Sequence, residues 1–272
     1  MIVLAKCVYC GVEIYGRGTR YCSRQCSNRA RRENERAGRK TFTVWSCGGG
    51  VQSTAIAALI YKGEIPKPDY SIMVDTGYEK SAVMAYVRGT IQPKLAEIGV
   101  TLNIVKTSDY VPDQSILNPD GYCIIPVYAK TDKGSVLMYT CCNDKWKIQV
   151  VRKWLKDQGV EQYVSLIGIS TDEAHRQRKA YKKYYSNEYP LITKGMDRQD
   201  CLNYIAALGW GEPVRSSCYI CGQQDDGEWW RMAVMSPDDL CKAAEIERQI
   251  QEYRPDVYLH RSCKPIDQAF KL

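Results

Sequence analysis

Beyond Lys40, short apolar runs alternate with longer stretches whose apolar residues recur at helical spacing. Residues 41–46, 70–75, 101–106 and 163–169 have the length and the β-branched or aromatic content of strands. Residues 53–62, 81–98, 144–157, 197–208 and 237–253 read as helices. This alternation predicts an α/β fold, a parallel sheet with helices on both faces. Ligands of such sheets bind beyond the carboxyl ends of the strands, so chemistry is expected where each strand exits. Residues 1–40 break the pattern, being rich in Cys, Gly and Arg. The chain is therefore expected to divide into a small module, 1–40, and a larger domain, 41–272.

Composition adds little for the larger domain and much for the smaller. At 44% hydrophobic and 25% charged residues the chain is ordinary for a globular protein. No apolar run approaches the roughly 20 residues of a membrane span, and the first residues are too soon interrupted by Lys6 to act as a signal peptide. A cytoplasmic protein without a membrane partner is expected. The formal charge of +7 lies wholly in residues 1–40, since basic and acidic residues balance over the rest. Such asymmetry predicts a nucleic-acid-binding appendage on a neutral domain.

Thirteen cysteines in a reducing compartment point to metal or catalysis rather than disulfides. Cys7, Cys10, Cys22 and Cys26 form two short knuckles separated by a hairpin-length segment, the spacing of a structural zinc site. A segment this small has too little core to fold unaided, and Zn²⁺ binding would supply the missing stability. Gly11, Gly16 and Gly18 supply turns. The phrase Arg20-Tyr21-Cys22-Ser23-Arg24-Gln25-Cys26 resembles treble-clef-like fingers whose last ligands open a helix. Residues 27–39 would continue that helix with Arg29, Arg31, Arg32, Arg36 and Arg39.

The first strand runs into Ser46-Cys47-Gly48-Gly49-Gly50-Val51-Gln52-Ser53-Thr54. Glycines allow a backbone to approach an anion, and the free N–H groups of the following helix point at it. The loop lacks a Gly-Lys-Ser/Thr ending and a Gly-x-Gly-x-x-Gly pattern, which excludes the Walker and Rossmann motifs. A plain glycine turn is the alternative. The second strand exits into Asp75-Thr76-Gly77-Tyr78-Glu79, which offers a carboxylate and a hydroxyl to a ribose, a base or a metal; the plainer reading is a helix-capping turn. The fourth exits into 168–176, where Gly168 precedes Asp172, Glu173 and Arg176; Arg176 could grip phosphate, or the segment is simply an exposed helix start.

Together these exits resemble the PP-loop (adenine-nucleotide α-hydrolase, HUP-like) superfamily, whose motif is Ser-Gly-Gly-x-Asp-Ser. Gly48 stands for the first Ser and Gln52 for the Asp. Over residues 41–265 the chain is most similar to phosphoadenosine-phosphosulfate reductases and DNA-phosphorothioation sulfurtransferases. That resemblance implies ATP with Mg²⁺, or an adenosine phosphosulfate, held by Ser46, Gly48, Gly49, Gly50, Gln52, Ser53, Thr54, Asp75, Thr76, Gly77, Gly168 and Arg176. Asp75 and Arg176 become candidate catalytic groups.

Tandem Cys141-Cys142, with Cys218-x-x-Cys221 far downstream, can ligate Zn²⁺ or a [4Fe–4S] cluster, or act as a redox dithiol. A tandem pair suits a zinc knuckle poorly. It resembles the [4Fe–4S] ligand pattern of adenosine-phosphosulfate reductases, as does the following Gly227-Glu228-Trp229-Trp230. Lys145 and Lys147 would set positive charge beside an anionic cluster, or lie on a solvated helix face. Trp229 and Trp230 read as core or cluster cover.

The expected function is ATP-dependent sulfur transfer to a nucleic acid, DNA or tRNA, through an adenylate. A sulfur donor such as a cysteine desulfurase, or a thiol reductant, is the expected partner; homodimer formation is left open. A sulfonucleotide reductase is the alternative. It needs a mobile nucleophile near the C-terminus, for which Cys263, flanked by Arg261 and Lys264, is the candidate, its thiol expected to be lowered by those cations. A non-catalytic nucleotide- or redox-sensing nucleic-acid binder is a third reading.

Overall fold

The computed structural model describes residues 5–14, 20–38, 40–118, 120–178 and 184–270. Gly16, Gly18 and Arg39 lie outside them, as do the side chains of Arg32 and Arg36. The N-terminal module is an antiparallel pair, β1 (Ala5–Lys6) and β2 (Glu13–Ile14), followed by helix α1 (Arg24–Ala37). Its core consists of Cys7, Ile14 and Cys26, with Tyr9 and Tyr21 against them.

The main domain is built on five parallel strands: β3 (Phe42–Ser46), β4 (Tyr70–Asp75), β5 (Leu102–Lys106), β8 (Tyr163–Leu166) and β9 (Tyr185–Glu188), in the order β5-β4-β3-β8-β9. Successive strand residues face opposite sides of a sheet, so β3 serves two cores. Trp45 is buried among α2 (Val51–Tyr61), Met73, Val87 and Ile91, with α7 (Arg198–Ala207) packed on α2. Val44 faces the other way, onto Ile72, Val74, Val150 and Leu155. Helices on both faces of a parallel sheet are what the hydrophobic pattern predicts. Because α2 is enclosed, it is apolar on nearly every side rather than amphipathic.

Two predicted helices each contain a wide turn. The 81–98 segment is α3 (Ser81–Tyr86) and α4 (Gln92–Glu97) joined through Val87–Ile91, where Gln92 N–H donates to Val87 O. Pro93 lacks an N–H and its ring crowds the carbonyl four residues back, and the widened turn absorbs both defects. The 144–157 segment is a wide turn, Asn143–Ile148, leading into α5 (Gln149–Asp157). Such a turn disturbs the regular ladder, and the buried Thr107 hydroxyl donates to Trp146 O at 2.8 Å.

The hydrophobic pattern misses β9 and a second core. That core joins a three-stranded antiparallel sheet, β6 (Tyr128–Thr131), β7 (Gly134–Leu137) and β10 (Val257–Tyr258), to α8 (Asp226–Met235), α9 (Pro237–Gln251) and the short α10 (Ile266–Ala269). Trp229, Leu240, Ile124, Val257 and Leu259 are buried there. Trp229 is core, whereas Trp230 is half exposed. Among the described residues no helix is long and apolar enough to cross a membrane.

Candidate functional site

The glycine loop joins β3 to α2 at the carboxyl end of the sheet. Gly49 has φ +73°, and a Cβ there would lie 2.7 Å from Val83 Cγ1, so both conformation and space demand glycine. Gly50, the N-cap of α2, would bring a Cβ within 2.7 Å of Ser216 Oγ. The loop closes on itself, Gly48 N–H donating to Ser53 Oγ at 2.9 Å. No side chain caps α2, so its first-turn amides are the free donors of an anion site. Thr54 does not reach that site. It is fully buried, and its hydroxyl donates back to Gly50 O at 2.9 Å.

The other strand exits converge on this loop. Gly168 packs against its backbone; a Cβ there would sit 3.0 Å from Ser53 N. Gln52 ties the loop to the 168–176 segment. Its amide donates to Ser170 Oγ at 3.3 Å and Glu173 Oε2 at 3.4 Å, and accepts from Arg198 at 3.4 Å. Arg176 is more than half exposed and donates to Glu173 Oε1 at 2.6 Å. Hydrogen bonds from Ser170 and the Arg198 N–H hold the Asp172 carboxyl below its usual range. Asp75 accepts from Gly77 N–H at 2.8 Å and closes the second exit. A cavity of about 350 Å³ opens beside the loop, lined by Ser46, Gly48, Val74, Asn143, Lys147 and Ile167 among others. That volume is within the range of small-ligand pockets. Cys47 lines the cavity as an inert thiol, pushed up to about 11 by burial.

Lys147 is shared between this cavity and the second cysteine group. Its ammonium pairs with Glu79 Oε1 at 2.8 Å. Burial opposes its charge, yet Glu79, Cys218 and Cys142 together push its pKa up. Glu79 is buried; it also accepts from the Thr76 hydroxyl at 3.1 Å and faces the Cys218 thiol at 3.7 Å. Its second oxygen, Oε2, is buried without a hydrogen-bond partner among the described residues. Burial, then the Glu79 carboxylate, pushes the Cys218 thiol up to about 12. Burial also raises Cys221, which feels the charge of Cys142. Glu79 thus bridges Lys147 to Cys218, and the Lys147 charge is felt as far as Cys142 and Cys221. Lys145 points elsewhere, into a different cavity with Cys141.

The two cysteine groups differ in closure. Sγ–Sγ distances are 3.4 Å for Cys10–Cys22, 3.4 Å for Cys22–Cys26 and 3.7 Å for Cys10–Cys26, with Cys7 completing a quartet inside 4.8 Å. Four sulfurs at roughly 2.3 Å from one Zn²⁺ would be about 3.8 Å apart, so this quartet fits a single tetrahedral ion. Cys141, Cys142, Cys218 and Cys221 do not draw together that way among the described residues. A cluster of several irons spreads its thiolates farther apart than one ion does, and the Lys147 ammonium would offset the negative charge of such a cluster.

No family model and no curated protein matches the chain. Among solved structures it is similar to phosphoadenylyl-sulfate (PAPS) reductase from Candida auris, crystallised as a phosphate complex, at 15% identity and a TM-score of 0.42, over 72% of this chain and 92% of that one. It is also similar to the U34-tRNA thiolase NcsA from Methanococcus maripaludis with its [4Fe-4S] cluster, at 16% identity and a TM-score of 0.41, over 92% of this chain and 88% of that one.

Cys263 stands apart from this convergence. It follows β10 in a turn with φ +51°, and the charge that acts on it is Lys130. The expected lowering of its thiol is corrected: burial outweighs Lys130 and raises it. Several site residues gave no sequence signal. Asn143 and Arg198 lie in ordinary polar contexts, and Ser216 reaches the loop only through the fold. A second buried ion pair, Lys80–Glu228 at 2.9 Å, anchors the 75–81 segment to α8.

Proposed function

We propose that the chain is a PP-loop enzyme that adenylates an oxygen of a nucleic-acid acceptor with ATP and Mg²⁺ and replaces it with sulfur. The observation that carries this reading is Lys147, which lines the cavity at the glycine loop and reaches the Cys218 thiol through Glu79. A cation so shared joins a nucleotide site to a thiol site. The α2 amides would hold the phosphates, and Asp75 and Arg176 would carry Mg²⁺ and phosphate contacts. The acceptor oxygen attacks the α-phosphorus and pyrophosphate leaves; hydrosulfide from the sulfur donor then attacks the activated centre, forming the bond to sulfur as the bond to the adenylate oxygen breaks and AMP leaves. The chain contributes positioning and charge neutralisation: Gln52 fixes the loop against Arg198, and Glu79 fixes the Lys147 ammonium. Cys141, Cys142, Cys218 and Cys221 would hold a [4Fe–4S] cluster, which supplies a site for binding sulfide. Residues 1–40, with Zn²⁺ on Cys7, Cys10, Cys22 and Cys26, would bring basic surface to the acceptor.

The test is pyrophosphate release on anaerobically purified protein with ATP, Mg²⁺ and either tRNA or DNA, beside iron and sulfide content. About four of each is expected, with release stimulated by one nucleic acid and abolished in Gly49→Ala. Release absent with every acceptor, and zinc in place of iron, would sink the proposal. Sulfite formed from an adenosine phosphosulfate and lost in Cys263→Ser would replace it with a reductase.

A further inference from the structure

A second cavity, of about 390 Å³, borders the thiol set at Cys141 and faces away from the glycine loop. Of the tandem cysteines, Cys141 lines it and Cys142 does not. Lys145 N–H bonds Cys141 O, and both Cys141 and Lys145 line the second cavity, whereas Lys147, on the same turn, lines the first. The turn at Asn143–Ile148 thus stands as a wall between them.

The chemistry of the second cavity is specific. Its floor is apolar, formed by Ile124, Val127, Met138 and Val257. Two tyrosine rings stand at its rim in water, Tyr122 at 59% and Tyr139 at 87% exposure. Asn118 spends its carbonyl on Tyr122 N–H at 2.7 Å, while its NH₂ has no partner among the described residues. The Lys145 ammonium likewise has no ion pair there. Arg254 is not available, since Asp256 and Gly121 O hold its guanidinium. Exposed rings over an apolar floor, one amide donor and one free cation match a planar heteroaromatic base carrying a phosphate.

We infer that this cavity binds an unstacked nucleobase, stacked on Tyr122 and Tyr139, with its phosphate on Lys145. Its source is a base of the single-stranded acceptor that neighbours the reacting one; that source rests on the proposed function, whereas the cavity does not. The reacting base itself belongs on the loop side of the wall, where Lys147 is.

The full chain is titrated with a fluorescein-labelled oligouridine and, separately, with uridine monophosphate. The Tyr122→Ala/Tyr139→Ala variant should lose about tenfold or more in oligonucleotide affinity, because stacking accounts for that much per base. Tyr122→Phe/Tyr139→Phe should keep it. Lys145→Met should lower the slope of log affinity against log salt by about one. Both tyrosines are exposed, so unchanged circular dichroism would certify folding, and cross-linking of a 5-iodouridine oligonucleotide should map to Tyr122 or Tyr139. Mononucleotide binding that is lost in the Ala pair, with oligonucleotide binding unchanged, would keep the base site and make a free nucleotide its ligand. Binding of both probes unaltered by the Ala pair, with cross-links only in residues 1–40, would overturn the inference even if pyrophosphate release occurs as proposed.

Discussion

The two cysteine groups solve opposite problems. The N-terminal quartet is contiguous in sequence, closed to within 4.8 Å, and shares a core of only Cys7, Ile14 and Cys26. The second group comes from two distant segments, is open, and sits at the edge of a large core that includes Trp229 and Leu240. In the first, the ligands are the core. In the second, the core exists without them, and the charged pair Glu79–Lys147 stands beside the Cys218 thiol. Four measurements break or sharpen that contrast.

The largest effect is expected from chelation. Structural zinc in small modules contributes on the order of 10 kcal/mol, so its removal should unfold residues 5–38 and leave 42–270 intact. Limited proteolysis with mass spectrometry reads this directly. Cleavage spread equally over both regions would mean that the second group is also a structural metal site.

Next is the Glu79–Lys147 pair. Lys147→Met leaves a buried carboxylate without its cation and should cost about 2–4 kcal/mol in urea denaturation. The Glu79→Gln/Lys147→Met double variant should recover most of that loss. Failure to recover would make Lys147 a packing residue rather than a charge partner.

The two regions should then respond to pH in opposite directions. Thiols must lose protons to bind metal, so the N-terminal module, with Zn²⁺ on its quartet as proposed, should strengthen as pH rises. In the second core, burial raises Glu247 to about 7, although it accepts from Leu259 N–H at 2.7 Å and Ile266 N–H at 2.6 Å. An acid whose folded pKa is raised favours the fold at low pH, and that advantage is lost as pH climbs from about 4.5 through about 7. The main domain should lose about 3 kcal/mol over that window, read from urea midpoints. A midpoint that rises with pH would contradict it.

The smallest effect concerns Tyr9, whose hydroxyl donates to Glu33 at 3.0 Å. Tyr9→Phe should weaken the zinc module by under about 1 kcal/mol and leave the main domain's midpoint unchanged.

The sheet was legible because β3, β4, β5 and β8 are apolar runs at strand length, and the closed quartet was legible because local spacing dictates it. The glycine loop's demand for Gly49 follows from its position after a strand. What remained hidden depends on tertiary placement. Glu79 is visible at the end of the 75–79 strand exit, but its partners Lys147 and Cys218 reach it only through the fold. β9 reads Tyr-Ser-Asn-Glu, too polar to announce an edge strand. The second core is assembled from segments on either side of β8, so no single window contains its pattern. Thr54 shows the converse error: a hydroxyl in the right place along the chain turned inward to its own helix.

The wide turn at Asn143–Ile148 behaves like one extra tooth in a gear. Each residue of a regular helix advances its side chain by about 100°, so one inserted residue resets the phase of everything before it relative to everything after. Upstream of the turn, Cys141 keeps its place on the second cavity; downstream, Val150 and Leu155 keep theirs against the sheet. Neither face has to compromise for the other. Deleting a single residue here would leave every contact of α5 possible and swing the cysteine pair out of line, a lesion that would read as lost chemistry in a protein of nearly normal stability.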